Sequence, residues 1–201
     1  MYPLFESIRV ENGAILHPDW HEKRYVASYT QYYGHKPTIG LFDGRIVPET
    51  CREGTFKLRI SYNHYSDKVE WEPYIIREIS TLRLIEDDDI DYDLKYTDRS
   101  RLNNLYNQRK GCDDILIVRQ GLITDSSYCN IVLFDGKEWH TPASPLLPGT
   151  ARARLLASGQ IVARTISVEN LSKHKSFKLI NAMRDFELLP SISIENIRNS
   201  E

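Results

Sequence analysis

The sequence predicts an α+β fold built as a small N-terminal α/β domain followed by a larger, strand-rich C-terminal domain. Three observations lead there. Short alternating runs bounded by turn residues recur in both halves, helical periodicity is confined to a few short segments, and an acidic stretch at residues 77–93 interrupts both patterns. That interruption places the domain boundary within residues 75–90, which divides the chain into domains 1–80 and 81–201.

Taken in order, residues 4–10 and 13–17 read as two strands around the Glu11-Asn12-Gly13 turn. Pro18-Asp19 offers a helix start, and Trp20, Arg24, Tyr25, Ser28 and Tyr32 form a mixed face up to Gly34, a natural C-terminal stop. A second helix is expected over residues 47–53. Residues 56–63 and 68–74 alternate as hairpin strands, with 63–67 as the turn. The acids Glu86-Asp87-Asp88-Asp89 read as a solvated loop rather than a metal site, because no His or Cys accompanies them at ligand spacing. Beyond it, residues 100–111 are helical in pattern, with Leu102, Leu105 and Tyr106 on one face. Residues 114–119 form an apolar strand, Gln120-Gly121 a turn, and residues 122–134 further strands. Asp135-Gly136 reads as a hairpin turn into Trp139-His140-Thr141, a helix follows Pro148-Gly149 over residues 150–158, and another is expected near 168–172.

Composition narrows the function. A chain of 201 residues with 41% hydrophobic and 27% charged residues can bury a sizeable core. A net charge of −2 and the lack of any Lys/Arg block give no support for nucleic acid or a membrane surface as partner. No apolar run approaches the roughly 18–20 residues of a membrane span, and the start Met-Tyr-Pro-Leu-Phe-Glu has neither the basic head nor the apolar core of a signal peptide. Cys51, Cys112 and Cys129 are odd in number and widely spaced, so neither a disulfide framework nor a metal site is expected, which fits a reducing, cytoplasmic setting. Cys129 has no base nearby in the pattern and reads as a packed residue rather than a nucleophile.

The segment Leu94-Lys95-Tyr96-Thr97-Asp98-Arg99 is followed by Gly121-Leu-Ile-Thr-Asp125-Ser-Ser-Tyr-Cys-Asn130. Together they set an amine upstream of a turn-bounded acid and a polar run. Those are the parts that hold pyridoxal phosphate, which needs an amine kept near neutral and a carboxylate that keeps the pyridine ring protonated. Lys95 and Asp125 are suitable types, although as isolated residues a surface lysine and a turn aspartate would serve as well.

The surrounding words make the pair specific. Phe5-Glu6-Ser7-Ile8-Arg9-Val10 with Gly13 is similar to "FETIRV…G", His21-Glu-Lys-Arg24 to "HxxR", and Lys95 with Arg99 to "KxxxR". Gly121 to Asn130 resembles "GxvtEgsssN", Thr141-Pro142 through Gly149-Thr150-Ala-Arg152 resembles "TPxxxxLxGxTR", and Ile180-Asn181-Ala182-Met183 through Pro190 resembles "NALMPVxPV". In this order the words resemble the class IV aminotransferases, pyridoxal-phosphate enzymes with a D-amino-acid aminotransferase-like fold that include branched-chain aminotransferase and aminodeoxychorismate lyase.

The resemblance implies roles residue by residue. Lys95 would be the Schiff-base lysine and, once displaced by a substrate amine, would move the proton at the reacting carbon. Asp125 would hold the ring nitrogen protonated, with a side chain one methylene shorter than the family's usual glutamate. Arg24 matches the phosphate arginine, the alternative being an exposed helix arginine. Gly149-Thr150 at a helix start would add N–H groups and a hydroxyl for the phosphate, or Thr150 is an ordinary N-cap. Asn181 with Ala182 would be a second donor cluster, with Ser127 and Tyr128 beneath the cofactor. For the substrate, Arg9 and Arg59 are candidates for a carboxylate, against the usual solvent-facing strand arginine, and Ser7 could assist proton movement. His21 would support Arg24.

Relatives usually carry more chain before the "FETIR" word, which implies a trimmed small domain and missing substrate groups. Relatives are also homodimers in which the partner's small domain closes a pocket at the junction of the two domains, and the tyrosines at 25, 29, 32 and 33 would need cover. The implied activity is that of aminodeoxychorismate lyase, which forms 4-aminobenzoate and pyruvate for folate synthesis. Ser7, the "NAM…LLP" tail and the short chain favour it. The alternatives are an amino-acid aminotransferase of branched-chain or D-amino-acid type and a non-catalytic cofactor-binding protein on the same scaffold.

Overall fold

A computed structural model describes residues 1–199. The fold is α+β and strand-rich, and it divides into two compact units. Unit 1 comprises Met1–Ile76 together with Leu94–Asp98, and unit 2 comprises Arg77–Asp93 together with Arg99–Glu201. The chain thus leaves unit 1 inside the expected window but returns for five residues, so Lys95 falls in unit 1 rather than in a single block 81–201.

Unit 1 is a four-stranded antiparallel sheet in the order β2 (Ala14–Ile15), β1 (Leu4–Glu11), β3 (Thr55–Tyr62), β4 (Asp67–Pro73), with the helix α1 (Pro18–Tyr33). Asn12 and Gly13 both take positive φ, 47° and 81°, as a tight turn between twisted strands requires. Pro18 occupies the first turn of α1, where its missing N–H costs nothing, and Gly34 ends the helix at φ 79° with its N–H on the Thr30 carbonyl. Alternation along β1 sends Leu4, Ile8 and Val10 into a core with Leu58, Ile60, Tyr62, Tyr25 and Tyr29, which leaves Phe5, Ser7 and Arg9 on the other face. Two of the four helix tyrosines are therefore core residues, and Tyr32 is the exposed one. The returning segment lies along β1: Lys95 accepts a hydrogen bond from Phe5 N, Tyr96 bridges Leu4, and Leu94 joins the core.

The helix expected over 47–53 is only a 3₁₀ turn, Glu49–Cys51. Pro48 fixes its start and Gly54, at φ 87°, closes it, so there is room for a single turn.

Unit 2 is built on a nine-stranded sheet. Its strands are β5 (Leu82–Glu86), β6 (Asp114–Arg119), β7 (Leu122–Ser126), β8 (Asn130–Phe134), β9 (Trp139–Pro142), β10 (Val162–Arg164), β11 (Ser176–Ile180), β12 (Ile192–Ser193) and β13 (Ile197–Arg198). The path runs β10-β9-β8-β7-β6-β5-β13, with β11 pairing β8 and β12. Leu116, Val118, Ile123, Ile131, Leu133, Phe177 and Leu179 form its main core. The hairpin joining β7 to β8 is registered by one facing pair, Asp125 opposite Asn130.

Helix α2 (Ser100–Tyr106) stops short of the expected residue 111, because Asn107 follows it and Lys110 and Gly111 are both left-handed. Helix α3 (Thr150–Ala157) matches expectation. The helix expected near 168–172 is a 3₁₀ turn at Leu171–Lys173, where the Ser167 hydroxyl takes the Asn170 N–H and competes with a longer helix. In the acidic stretch, Asp87 pairs with Arg101 and Asp88 caps the Gln120 N–H. Among the described residues no group of three or more His, Cys, Asp or Glu is placed to hold a metal, and no helix is long and apolar enough to cross a membrane.

Candidate active site

In unit 1, Lys95 is half-buried, with its Nζ 4.7 Å from the centre of the Phe5 ring. The Arg59 guanidinium stacks on the same ring at 3.7 Å and donates from Nε to Ser61 Oγ at 3.3 Å. Ser7 faces Arg59 across the β1–β3 ladder, and directly opposed residues share a face. The sheet thereby gathers Lys95, Arg59 and Ser7 around Phe5, and Arg59 is packed rather than solvent-facing. Arg9, two residues along β1, is ion-paired with Glu11.

Arg24 lies toward the opposite face. It is 10% exposed, not a surface arginine, and holds Glu6 with two hydrogen bonds, Nε to Oε1 at 2.8 Å and Nη2 to Oε2 at 2.5 Å. His21 Nδ1 meets the same carboxylate at 2.7 Å. Glu6 occupies a core register position between Leu4 and Ile8 and is fully buried. Burial raises its pKa, but the Arg24 charge and the bonds from His21 and Arg24 outweigh this and bring it down to about 2. A depressed carboxyl stabilises the fold above its ordinary pKa of 4.5 and loses that contribution as pH falls through about 2. The contribution is on the order of 3 kcal/mol. Thermal melts between pH 5.5 and pH 2.5 should show this loss in the wild type and a flatter profile in Glu6→Gln; parallel profiles would exclude the ion pair as a source of acid sensitivity.

In unit 2, Asp125 is buried at the end of β7. Its Oδ1 accepts from Asn130 Nδ2 at 2.8 Å and its Oδ2 from Leu147 N at 2.9 Å. Burial pushes its pKa up to about 6, against the lowering effect of those donors and the Arg152 charge. Arg152 is itself fixed, donating to Thr141 Oγ1 and the Pro142 carbonyl. Gly149 is the N-cap of α3 and Thr150 its first helical residue, so Thr150 is not the N-cap and no side chain caps the first turn. Such a helix start directs N–H groups and a positive dipole end outward.

The turn after Asp125 is tightly braced. Ser127 donates to the buried Asp114, and Arg99 donates to the Ser127 carbonyl while packing over the Tyr128 ring at 4.4 Å. Asn181 uses its amide on Cys129 Sγ and Met183 N, which holds that turn and its own; Ala182 beside it is half-buried. Burial pushes the Cys129 thiol up to about 12, so it stays protonated and is no nucleophile. Sequence reasoning gave no role to Glu6, Asn130 or Arg152. Glu6 was legible as the one acid at a core register position of β1, facing an "HxxR" helix; Asn130 and Arg152 sat inside quoted words without any signal of their partners.

The amino-transferase class IV family model matches residues 3–187. The chain belongs to this family. An uncharacterised protein of Haemophilus influenzae is 40% identical over 185 residues, 91% of this chain and 98% of that protein. A solved Haemophilus somnus structure, provisionally named a 4-amino-4-deoxychorismate lyase, is 37% identical with a TM-score of 0.80, over 91% of this chain and 97% of its own. A hypothetical aminotransferase of Mycobacterium tuberculosis in its PLP-bound form shares the fold at 16% identity and a TM-score of 0.75, covering 94% of this chain and 80% of that one. For a class IV aminotransferase fold, the quoted words thus gave the family correctly from sequence.

Proposed function

We propose that this class IV family member binds pyridoxal 5'-phosphate and acts as a 4-amino-4-deoxychorismate lyase. The observation that carries cofactor binding is the Asp125 carboxylate, buried, gripped by two donors and joined through Leu147 to the uncapped start of α3. A buried acid of this kind suits a protonated ring nitrogen, and an open helix start suits a phosphate. The lyase assignment draws on the Haemophilus somnus relative, matched over nearly its whole length, and on Ser7 and the tail at 180–190.

When bound, the cofactor supplies an aldehyde that takes up amines and a ring that accepts electrons. The chain's residues divide the remaining work. Lys95 would hold the cofactor through its amine and would be the base that removes the proton at C4 of the substrate. Asp125 keeps the ring nitrogen protonated. In unit 1, Arg24 is the candidate phosphate cation; in unit 2, Gly149, Thr150, Asn181 and Ala182 are the candidate phosphate donors. Arg59, held over the Phe5 ring, receives a substrate carboxylate, with Arg9 of the neighbouring strand on the same face of the sheet and Ser7 assisting the proton.

An amino-acid aminotransferase would use the same residues, with Lys95 as the group that both removes and returns the proton. The deciding experiment incubates the cofactor-loaded protein with 4-amino-4-deoxychorismate and, separately, with amino acids plus 2-oxoglutarate. Formation of 4-aminobenzoate and pyruvate is expected; glutamate formation alone would replace the lyase reading. The proposal extends to a cytoplasmic homodimer, to which exposed Tyr32 on α1 contributes cover-seeking aromatic surface. Sedimentation at micromolar concentration should give twice the chain mass of 23.4 kDa, and a fully active monomer would refute it.

A further inference from the structure

Asn130 closes the polar run after Asp125, and the roles above leave it unused. It is 6% exposed and stands directly across the hairpin from Asp125. One amide nitrogen, Nδ2, donates both to Asp125 Oδ1 at 2.8 Å and to the Leu147 carbonyl at 2.9 Å. Leu147 completes the ring by donating its own N–H to Asp125 Oδ2 at 2.9 Å. With the nitrogen committed twice, the amide oxygen has one direction left, and it points at Gly149, the N-cap of α3. A Cβ built on Gly149 would come within 2.0 Å of Asn130 Oδ1. Glycine at 149 is thus required by the amide rather than by its backbone, whose φ of −66° any residue adopts.

We propose that Asn130 is a positioning residue that fixes, through one side chain, both the direction of the Asp125 carboxylate and the seat of the turn that opens α3. The inference rests on the reading that Asp125 serves a ring nitrogen and the α3 start a phosphate. A rigid cofactor needs those two groups at a constant separation, and the Asp125–Asn130–Leu147 ring supplies it without any loop adjustment. Alanine at 130 would leave the Leu147 carbonyl and one carboxylate oxygen unsatisfied; aspartate would set a second buried acid against the first. Either change frees the two groups to move independently.

The test uses three full-length variants, Asn130→Ala, Gly149→Ala and their combination. In protein without cofactor, the Asp125 carboxyl is titrated by side-chain carbon NMR; in a second measurement, the Kd for pyridoxal phosphate is read by ultrafiltration. Loss of a donor to the charged form should move the Asp125 titration to higher pH in Asn130→Ala, and each single variant should weaken cofactor binding by about tenfold or more. Because Gly149→Ala acts by displacing the amide, it should add less than about twofold once Asn130 is alanine. If Asn130→Ala does not fold, Asn130→Ser retains one donor and should shift the titration in the same direction by less. An unchanged Asp125 titration, or effects of the two substitutions that simply multiply, would overturn the inference. A wild type that binds no pyridoxal phosphate would overturn the functional reading instead, while the titration would still decide whether Asn130 sets the carboxylate.

Discussion

Lys95→Ala should retain the fold and lose turnover by at least about 10²–10⁴-fold, the range that a single acid–base group contributes. The fold survives because the structural work of this segment is done by its backbone and neighbours: the Lys95 carbonyl on Phe5 N, the Tyr96 bridge to Leu4, and Leu94 in the core. The substitution removes, among its contacts, the amine over the Phe5 ring, a cation–π contact worth about 0.5–1 kcal/mol. Circular dichroism and thermal melts should therefore stay close to wild type while activity disappears. Treating the loaded wild type with borohydride should attach the pyridoxyl label to the peptide containing Lys95. Label on Lys178, the buried lysine of β11 that donates to the Phe186 carbonyl, would move the reacting amine to unit 2 and end the Lys95 assignment.

Asp125→Asn should keep the cofactor bound but slow turnover by about 10²–10³-fold, as removal of one preorganised charge partner does elsewhere. Its pH behaviour gives a second check. Burial raises the Asp125 pKa to about 6, so in cofactor-free protein the ionised form costs stability above that pH, and the cost fades as the group protonates toward its ordinary 3.8. A protonated ring nitrogen offsets that cost only where Asp125 is ionised. The rise in melting temperature on adding pyridoxal phosphate should thus be larger at pH 7.5 than at pH 5 in the wild type, and the difference should vanish in Asp125→Asn. Equal stabilisation at both pH values in the wild type would separate Asp125 from the ring nitrogen.

The sequence by itself determined the family, the α+β class and most regular elements, because each rests on short-range information. Alternation fixes which side of β1 is buried, Asn12-Gly13 fixes a turn, and Pro18 and Gly34 bracket α1. It overstated helices at 47–53, 100–111 and 168–172, where proline, asparagine and serine side chains or left-handed residues stop a pattern that periodicity alone would extend. It also named Lys95, Asp125 and Arg24 as chemical types in matching words. Only tertiary structure decided what those groups face. Arg24 meets a buried Glu6 carried by another element, Arg59 finds a ring on a neighbouring strand, and Asp125 is set by Asn130 and by a backbone amide 22 residues away. The return of Leu94–Asp98 to unit 1 likewise depends on an edge of β1 that exists only once the sheet has formed. Partners distant in sequence leave no local pattern. Burial raises both carboxyls, and only the packed fold brings Arg24 and His21 to Glu6 to pull it down while Asp125 stays up.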